Sequence, residues 1–98
     1  MADNPNYPIA TSAINWVDSN GQVHLRLYST DGYNISEFCF DGQDWVQGQF
    51  SAPGSAVSAT CWPADGGVSI RVYATSQDVT TEYCADPGGS WVQGHVFP

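Results

Sequence analysis

From Ile9 onward, apolar and polar residues alternate in short runs broken by turn residues, and no stretch repeats its apolar positions at helical spacing. The clearest run is Val23-His24-Leu25-Arg26-Leu27-Tyr28. A two-residue period puts Val23, Leu25 and Leu27 on one face, which packs, and His24, Arg26 and Tyr28 on the other, which presents the arginine. Eight strands are predicted on this basis. Four cover about 10–17, 22–30, 34–41 and 45–50, with turns at Asp18-Ser19-Asn20-Gly21, Asp31-Gly32 and Asp41-Gly42. Four more cover about 56–62, 67–75, 79–85 and 91–97, and Ser51-Ala52-Pro53-Gly54-Ser55 joins the two sets. Residues 1–8, with Pro5 and Pro8, read as a flexible polar lead-in.

The two sets are copies of one another. Trp16 corresponds to Trp62, Arg26 to Arg71, Tyr28 to Tyr73, Glu37 to Glu82, Cys39 to Cys84, Trp45 to Trp91 and Gly48 to Gly94. Insertions and deletions fall in turns, so the strands keep their register. The chain divides into a first repeat at 9–52 and a second at 53–98. Repeats of this length belong to arrays in which one unit cannot bury its apolar face alone. Two four-stranded antiparallel units suggest two blades of a β-propeller, which cannot close a ring without further chains. A two-sheet sandwich fits the strand count as well.

Composition narrows the function. A net charge of −8 and a pI near 4.1 argue against nucleic acid and anionic membranes, which demand clustered basic residues. Most of the acids are aspartates at turn-like positions, consistent with turn chemistry and solubility. Cys39, Cys61 and Cys84 form no CxxC pair and read as buried free thiols rather than a disulfide framework or a zinc site. With no signal-peptide pattern and no membrane-length apolar run, the chain reads as soluble, cytoplasmic or exported by a non-classical route.

The chain has no lysine, and its only arginines and only glutamates recur as Arg26/Glu37 and Arg71/Glu82, eleven residues apart in both copies. Pairing through the Asp31-Gly32 hairpin brings Arg26 within reach of Glu37. A structural cross-strand ion pair, worth about a few tenths to 1 kcal/mol, is one reading. The other starts from Trp45 and Trp91 in Gly-rich turns, suited to exposing a flat apolar face. A donor fork, an acceptor and an aromatic face together match a neutral sugar. Trp16 and Trp62, within strands, read as core. Catalysis is not expected: glycosidase chemistry needs two carboxylates about one bond, each repeat offers one Glu, and no Ser/His/Asp or Cys/His set recurs. No cofactor or metal is implied, and duplicated sites favour avidity.

The pattern (Ile/Leu)-Arg-(Val/Leu)-Tyr, then Glu-aromatic-Cys, then a Trp-bearing turn and Gly, resembles the fucose-binding β-propeller lectins. It is most similar to the short two-repeat bacterial members, three chains of which build a six-bladed propeller. The resemblance implies sites between adjacent blades, where Arg and Glu of one blade bind the sugar's hydroxyls and ring oxygen and two aromatics of the next stack on it. One site would then use Arg26 and Glu37 with Trp91 and Ala85 of the second repeat. The other would use Arg71 and Glu82 with Phe40 and Trp45 of a neighbouring chain. Phe40 stands where the family has Trp or Tyr, Ala85 where it has an aromatic, and the loop before Trp91 carries an insertion at Pro87. The resemblance thus implies a homotrimer with six sites for fucosylated glycans, the three at Arg71/Glu82 being stronger.

Overall fold

The computed structural model describes residues 7–98; of the lead-in expected over 1–8, the first six residues lie outside the described part. The described chain is all-β, with strands β1 (Ala10–Val17), β2 (Val23–Thr30), β3 (Asn34–Phe40), β4 (Trp45–Pro53), β5 (Ala56–Ala64), β6 (Gly67–Ser76), β7 (Val79–Ala85) and β8 (Val92–Phe97). They form two four-stranded antiparallel sheets, β1-β2-β3-β4 and β5-β6-β7-β8, each strand beside its sequence neighbour. No helix of the described residues is long and apolar enough to cross a membrane.

Turn chemistry sets the hairpins. Asp18 Oδ1 accepts from the Asn20 and Gln22 amides at 2.8 and 3.0 Å, and Asp31 Oδ1 from those of Tyr33 and Asn34 at 2.9 Å each. The β6–β7 turn has no such aid: Gln77 and Asp78 both adopt positive φ, at 52° and 69°. The joint between the repeats is shorter than the sequence suggests, because β4 runs on to Pro53, paired with Asn34. Proline is tolerated there since a strand end needs no further ladder donor.

The register aligns the two copies. Tyr28 lies opposite Glu37 and Arg26 opposite Cys39, as Tyr73 lies opposite Glu82 and Arg71 opposite Cys84. The β3–β4 ladder shifts between Ser36 and Phe38 and the β7–β8 ladder between Thr81 and Tyr83, so in each repeat the glutamate is the residue at the bulge.

The core joins unlike faces of the two sheets. The first sheet contributes Ile14, Tyr28, Ile35, Phe50 and Ala52, on the side that carries Arg26 and Glu37; the second contributes Ile70, Val72 and Ala74, on the side opposite Arg71 and Glu82. This corrects the expected face assignment for β2. Tyr28 and Thr30 are fully buried whereas Leu25 and Leu27 are half-buried, because the second sheet stacks on the arginine face of the first. In β6 the Ile70/Val72 face packs as expected. Strands β1 and β5 make the closest approach between the sheets, with the Cys61 thiol 3.5 Å from the Asn15 carbonyl.

Candidate functional site

Each repeat builds the same constellation. Arg26 Nη1 donates to the Leu25 carbonyl at 2.8 Å and to Asp41 Oδ1 at 2.9 Å, with its guanidinium 4.9 Å from the Trp16 ring centre. Arg71 Nη1 donates to the Ile70 carbonyl at 3.0 Å and to Asp86 Oδ1 at 2.9 Å, again 4.9 Å from an indole, that of Trp62. Tyr28 donates to Glu37 Oε2 at 2.8 Å and Tyr73 to Glu82 Oε2 at 2.9 Å. The second oxygen of each glutamate accepts a backbone amide across the bulge, Phe50 to Glu37 at 3.2 Å and His95 to Glu82 at 3.1 Å.

The expected Arg–Glu ion pairs do not form among the described residues. Tyrosine occupies the position opposite glutamate, and each arginine, two pairs further along on the same face, reaches the aspartate that follows β3 or β7. Asp41, Asp86, Tyr28 and Tyr73 are therefore the residues that sequence reasoning missed. Their signal was present, since each recurs at a fixed distance from its arginine. Trp16 packs against the core as read and also lies beneath the Arg26 guanidinium, whereas Trp62, read as core, lies beneath Arg71 and is 43% exposed.

Glycine makes room for the carboxylates. A Cβ at Gly48 would collide with the Glu37 carboxylate and the Cys39 sulfur, and one at Gly94 with the Glu82 carboxylate and the Cys84 sulfur. Only a glycine at this point of β4 and β8 lets the glutamate cross the backbone and reach the amide of Phe50 or of His95. The three cysteines are free and half-buried. Burial pushes the Cys39 and Cys84 thiols up, and the neighbouring glutamates push the same way.

Electrostatics differ between the copies through coverage. Glu37 is only 4% exposed and Tyr28 not at all, because the second sheet lies over them. Burial, then Glu37, pushes the Tyr28 hydroxyl far above its ordinary range. Glu82 faces solvent in the single chain. The His95 amide and then Tyr73 hold its carboxyl below the usual value, as Arg71 and then Ser69 do for Asp86.

The aromatics divide in the same way. Trp91 meets the first constellation across the sheets, its ring 4.6 Å from Phe50 and 6.4 Å from Tyr28, the two residues that donate to Glu37. Ala85 lies on the same inward face of the second sheet, opposite Ile70, and half-buried. Phe40 and Trp45 pair directly, with ring centres 5.6 Å apart, on the face of the first sheet that nothing covers; Trp45 is 50% exposed. The chain thus brings Arg26, Glu37, Trp91 and Ala85 to one interface and leaves Arg71/Glu82 and Phe40/Trp45 on opposite outer faces.

A cleft of about 520 Å³ opens beside these groups at the β1–β2 and β5–β6 turns, between Trp16, Asp18, Cys61, Trp62 and Val68. It shares only the two indoles with the constellations. No family model matches the chain, and no curated protein matches it either.

Proposed function

We propose that the chain is a non-enzymatic, multivalent lectin for L-fucose and fucosylated glycans, its sheets acting as two blades of a propeller completed by further copies. The observation that carries this reading is the duplication of the Arg–Asp and Tyr–Glu contacts, together with the unlike faces that meet in the core. Because the repeats are equivalent, the outer face of the first sheet matches the inner face of the second. A neighbouring chain can therefore set Phe40 and Trp45 over Arg71 and Glu82 as Trp91 already lies against Tyr28 and Phe50, the two donors to Glu37. Head-to-tail contacts of this kind close into rings, and three copies give six blades. Exposed Trp45, Val46 and Trp62 on a chain this short support such coverage.

At each interface the guanidinium offers donors, the glutamate an acceptor, and the indole a flat apolar surface for the C–H face of a pyranose. Tyr28 and Tyr73 fix the glutamates, and Asp41 and Asp86 fix the arginines. The interface carrying Phe40 and Trp45 offers two aromatic faces and the one carrying Trp91 and Ala85 offers one, so the Arg71 sites bind more tightly.

A propeller without sugar binding has one observation in its favour: Glu37 is almost wholly buried, with both oxygens already bonded. Calorimetric titration with L-fucose, on protein whose mass is checked by light scattering, separates the two. The lectin reading requires heat on a trimer and its loss at the outer site in Arg71→Ala or Glu82→Ala with the fold intact. No heat up to millimolar sugar, the range of weak affinity, with a lowered melting temperature in both variants, would leave the constellation a structural role.

A further inference from the structure

His24 breaks the equivalence of the repeats. Its Nδ1 lies 2.6 Å from Asp41 Oδ1 and its Nε2 2.9 Å from Asp18 Oδ2, and its ring stacks on Trp16 at 5.2 Å with the planes 11° apart. A carboxylate only accepts, so both ring nitrogens must carry hydrogen. The geometry is that of an imidazolium. The two nitrogens point to different carboxylates, and no cluster of acids, histidines and cysteines among the described residues converges on a point as metal ligands do. The second repeat has Ser69 at this position.

The oxygen that His24 holds is the one Arg26 uses. Asp41 Oδ1 accepts from both His24 Nδ1 and Arg26 Nη1, and Nη2 of Arg26 has no protein partner among the described residues. Where serine replaces histidine, the aspartate grips the arginine with both oxygens: Arg71 Nη1 lies 2.9 Å from Asp86 Oδ1 and Nη2 3.5 Å from Oδ2.

We infer that His24 is a positioning residue for the Arg26 site: as an imidazolium it keeps Asp41 from clasping both ends of the guanidinium, leaving Nη2 to a ligand, and on losing its proton it lets that clasp close. The inference rests on the sugar reading for the identity of the ligand.

The groups facing His24 come from three places. Asp18 reaches it from the β1–β2 turn, Asp41 from the segment after β3, and Arg26 from its own strand. The wall that the second sheet sets beside Trp16 and Asp18 holds Cys61, Trp62, Pro63, Gly66, Gly67 and Val68, with no acid or base among them apart from the Cys61 thiol, which burial pushes up. Asp18 first and Asp41 second raise the imidazole above its ordinary value, while burial opposes them. The protonated arrangement is therefore complete below about pH 6.5 and is lost as pH rises through that raised value.

The test uses two measurements. Heteronuclear spectra of the intact wild-type protein, from about pH 5.5 to about pH 9, follow the His24 ring and the Arg26 side chain. Both should move together. L-Fucose titrations over the same range use Arg71→Ala, which leaves the Arg26 site, with and without His24→Ser. In Arg71→Ala the affinity should fall about tenfold across the range; with His24→Ser added it should stay at the weaker value throughout. A His24 ring that does not titrate, or Arg26 signals indifferent to it, overturns the inference. So does a pH slope that survives His24→Ser, or heat unchanged with pH while His24 titrates; in those cases the sugar reading stands. Absence of fucose heat at every pH in Arg71→Ala overturns this inference, and its absence in the wild-type protein as well overturns the sugar reading.

Discussion

Replacing Tyr28 with Phe removes one oxygen atom and should cost the fold far more than its size suggests. The hydroxyl is fully buried and donates at 2.8 Å to Glu37, itself 4% exposed. Without it the carboxylate keeps one protein donor, the Phe50 amide at 3.2 Å, and the stacked second sheet restricts the approach of water as a replacement. The ring remains, so the core loses no packing. A hydrogen bond to a charged group is worth about 1.5–3 kcal/mol, and leaving the buried acceptor short brings the cost toward the upper figure. Urea unfolding at neutral pH should show a lower midpoint with an unchanged slope. The double substitution Tyr28→Phe with Glu37→Gln should recover part of the loss, since a neutral amide tolerates burial better than a carboxylate. Tyr73→Phe is the internal control: its partner Glu82 lies on a face that the single chain leaves uncovered, so the effect there should be smaller, and on the proposed assembly it should approach that of Tyr28→Phe only as copies cover it. A cost for Tyr28→Phe below about 0.5 kcal/mol, the lower edge for an ordinary hydrogen bond, would refute the assignment of Glu37 as a buried carboxylate dependent on this donor.

Gly48→Ala should destabilise by about 1–3 kcal/mol, because the added methyl displaces the Glu37 carboxylate from the Phe50 amide; the same urea assay reads it. Asp78→Gly should stabilise by about 0.5–1 kcal/mol, relieving a non-glycine residue at φ 69° in a tight hairpin, and a raised melting temperature would show it. Asp18, Asp31, Glu82 and Asp86 are all held below their ordinary values by hydrogen bonds. A depressed carboxyl stabilises above its unfolded pKa, so urea midpoints should fall as pH drops below about 5 through the depressed values, while the raised His24 makes them fall again as pH rises above about 6.5; His24→Ser should remove that second fall and leave the profile flat above about pH 5.

The strands were legible because turn residues and two-residue alternation agree, as at Val23–Tyr28, and because the repeat supplies each strand twice. The boundary at β4 was not, since Pro53 reads as a breaker when considered alone and becomes a strand end only beside Asn34. Which face of the first sheet would be covered was also hidden. Both faces of β2 carry large side chains, and the choice depends on a second sheet that begins only at Ala56. For the site, the sequence marked Arg26, Glu37, Arg71 and Glu82 by rarity. It could not assign their partners, because a register difference of two residue pairs decides whether arginine meets glutamate or aspartate. The aspartates, counted among the turn formers, turned out to hold the arginines.

On the assembly proposed above, unlike faces meeting at the core would also govern size. A contact between a face and its own copy ends with two partners, whereas a contact between two different faces leaves a fresh face of each kind at either end. Nothing in the chemistry of the contact says when to stop. In the proposed ring the angle between successive sheets would, and the two sheets of the chain come closest between β1 and β5, where the Cys61 sulfur rests against the Asn15 carbonyl. Bulk added there would, on that proposal, alter how many copies come full circle before it altered whether they adhere.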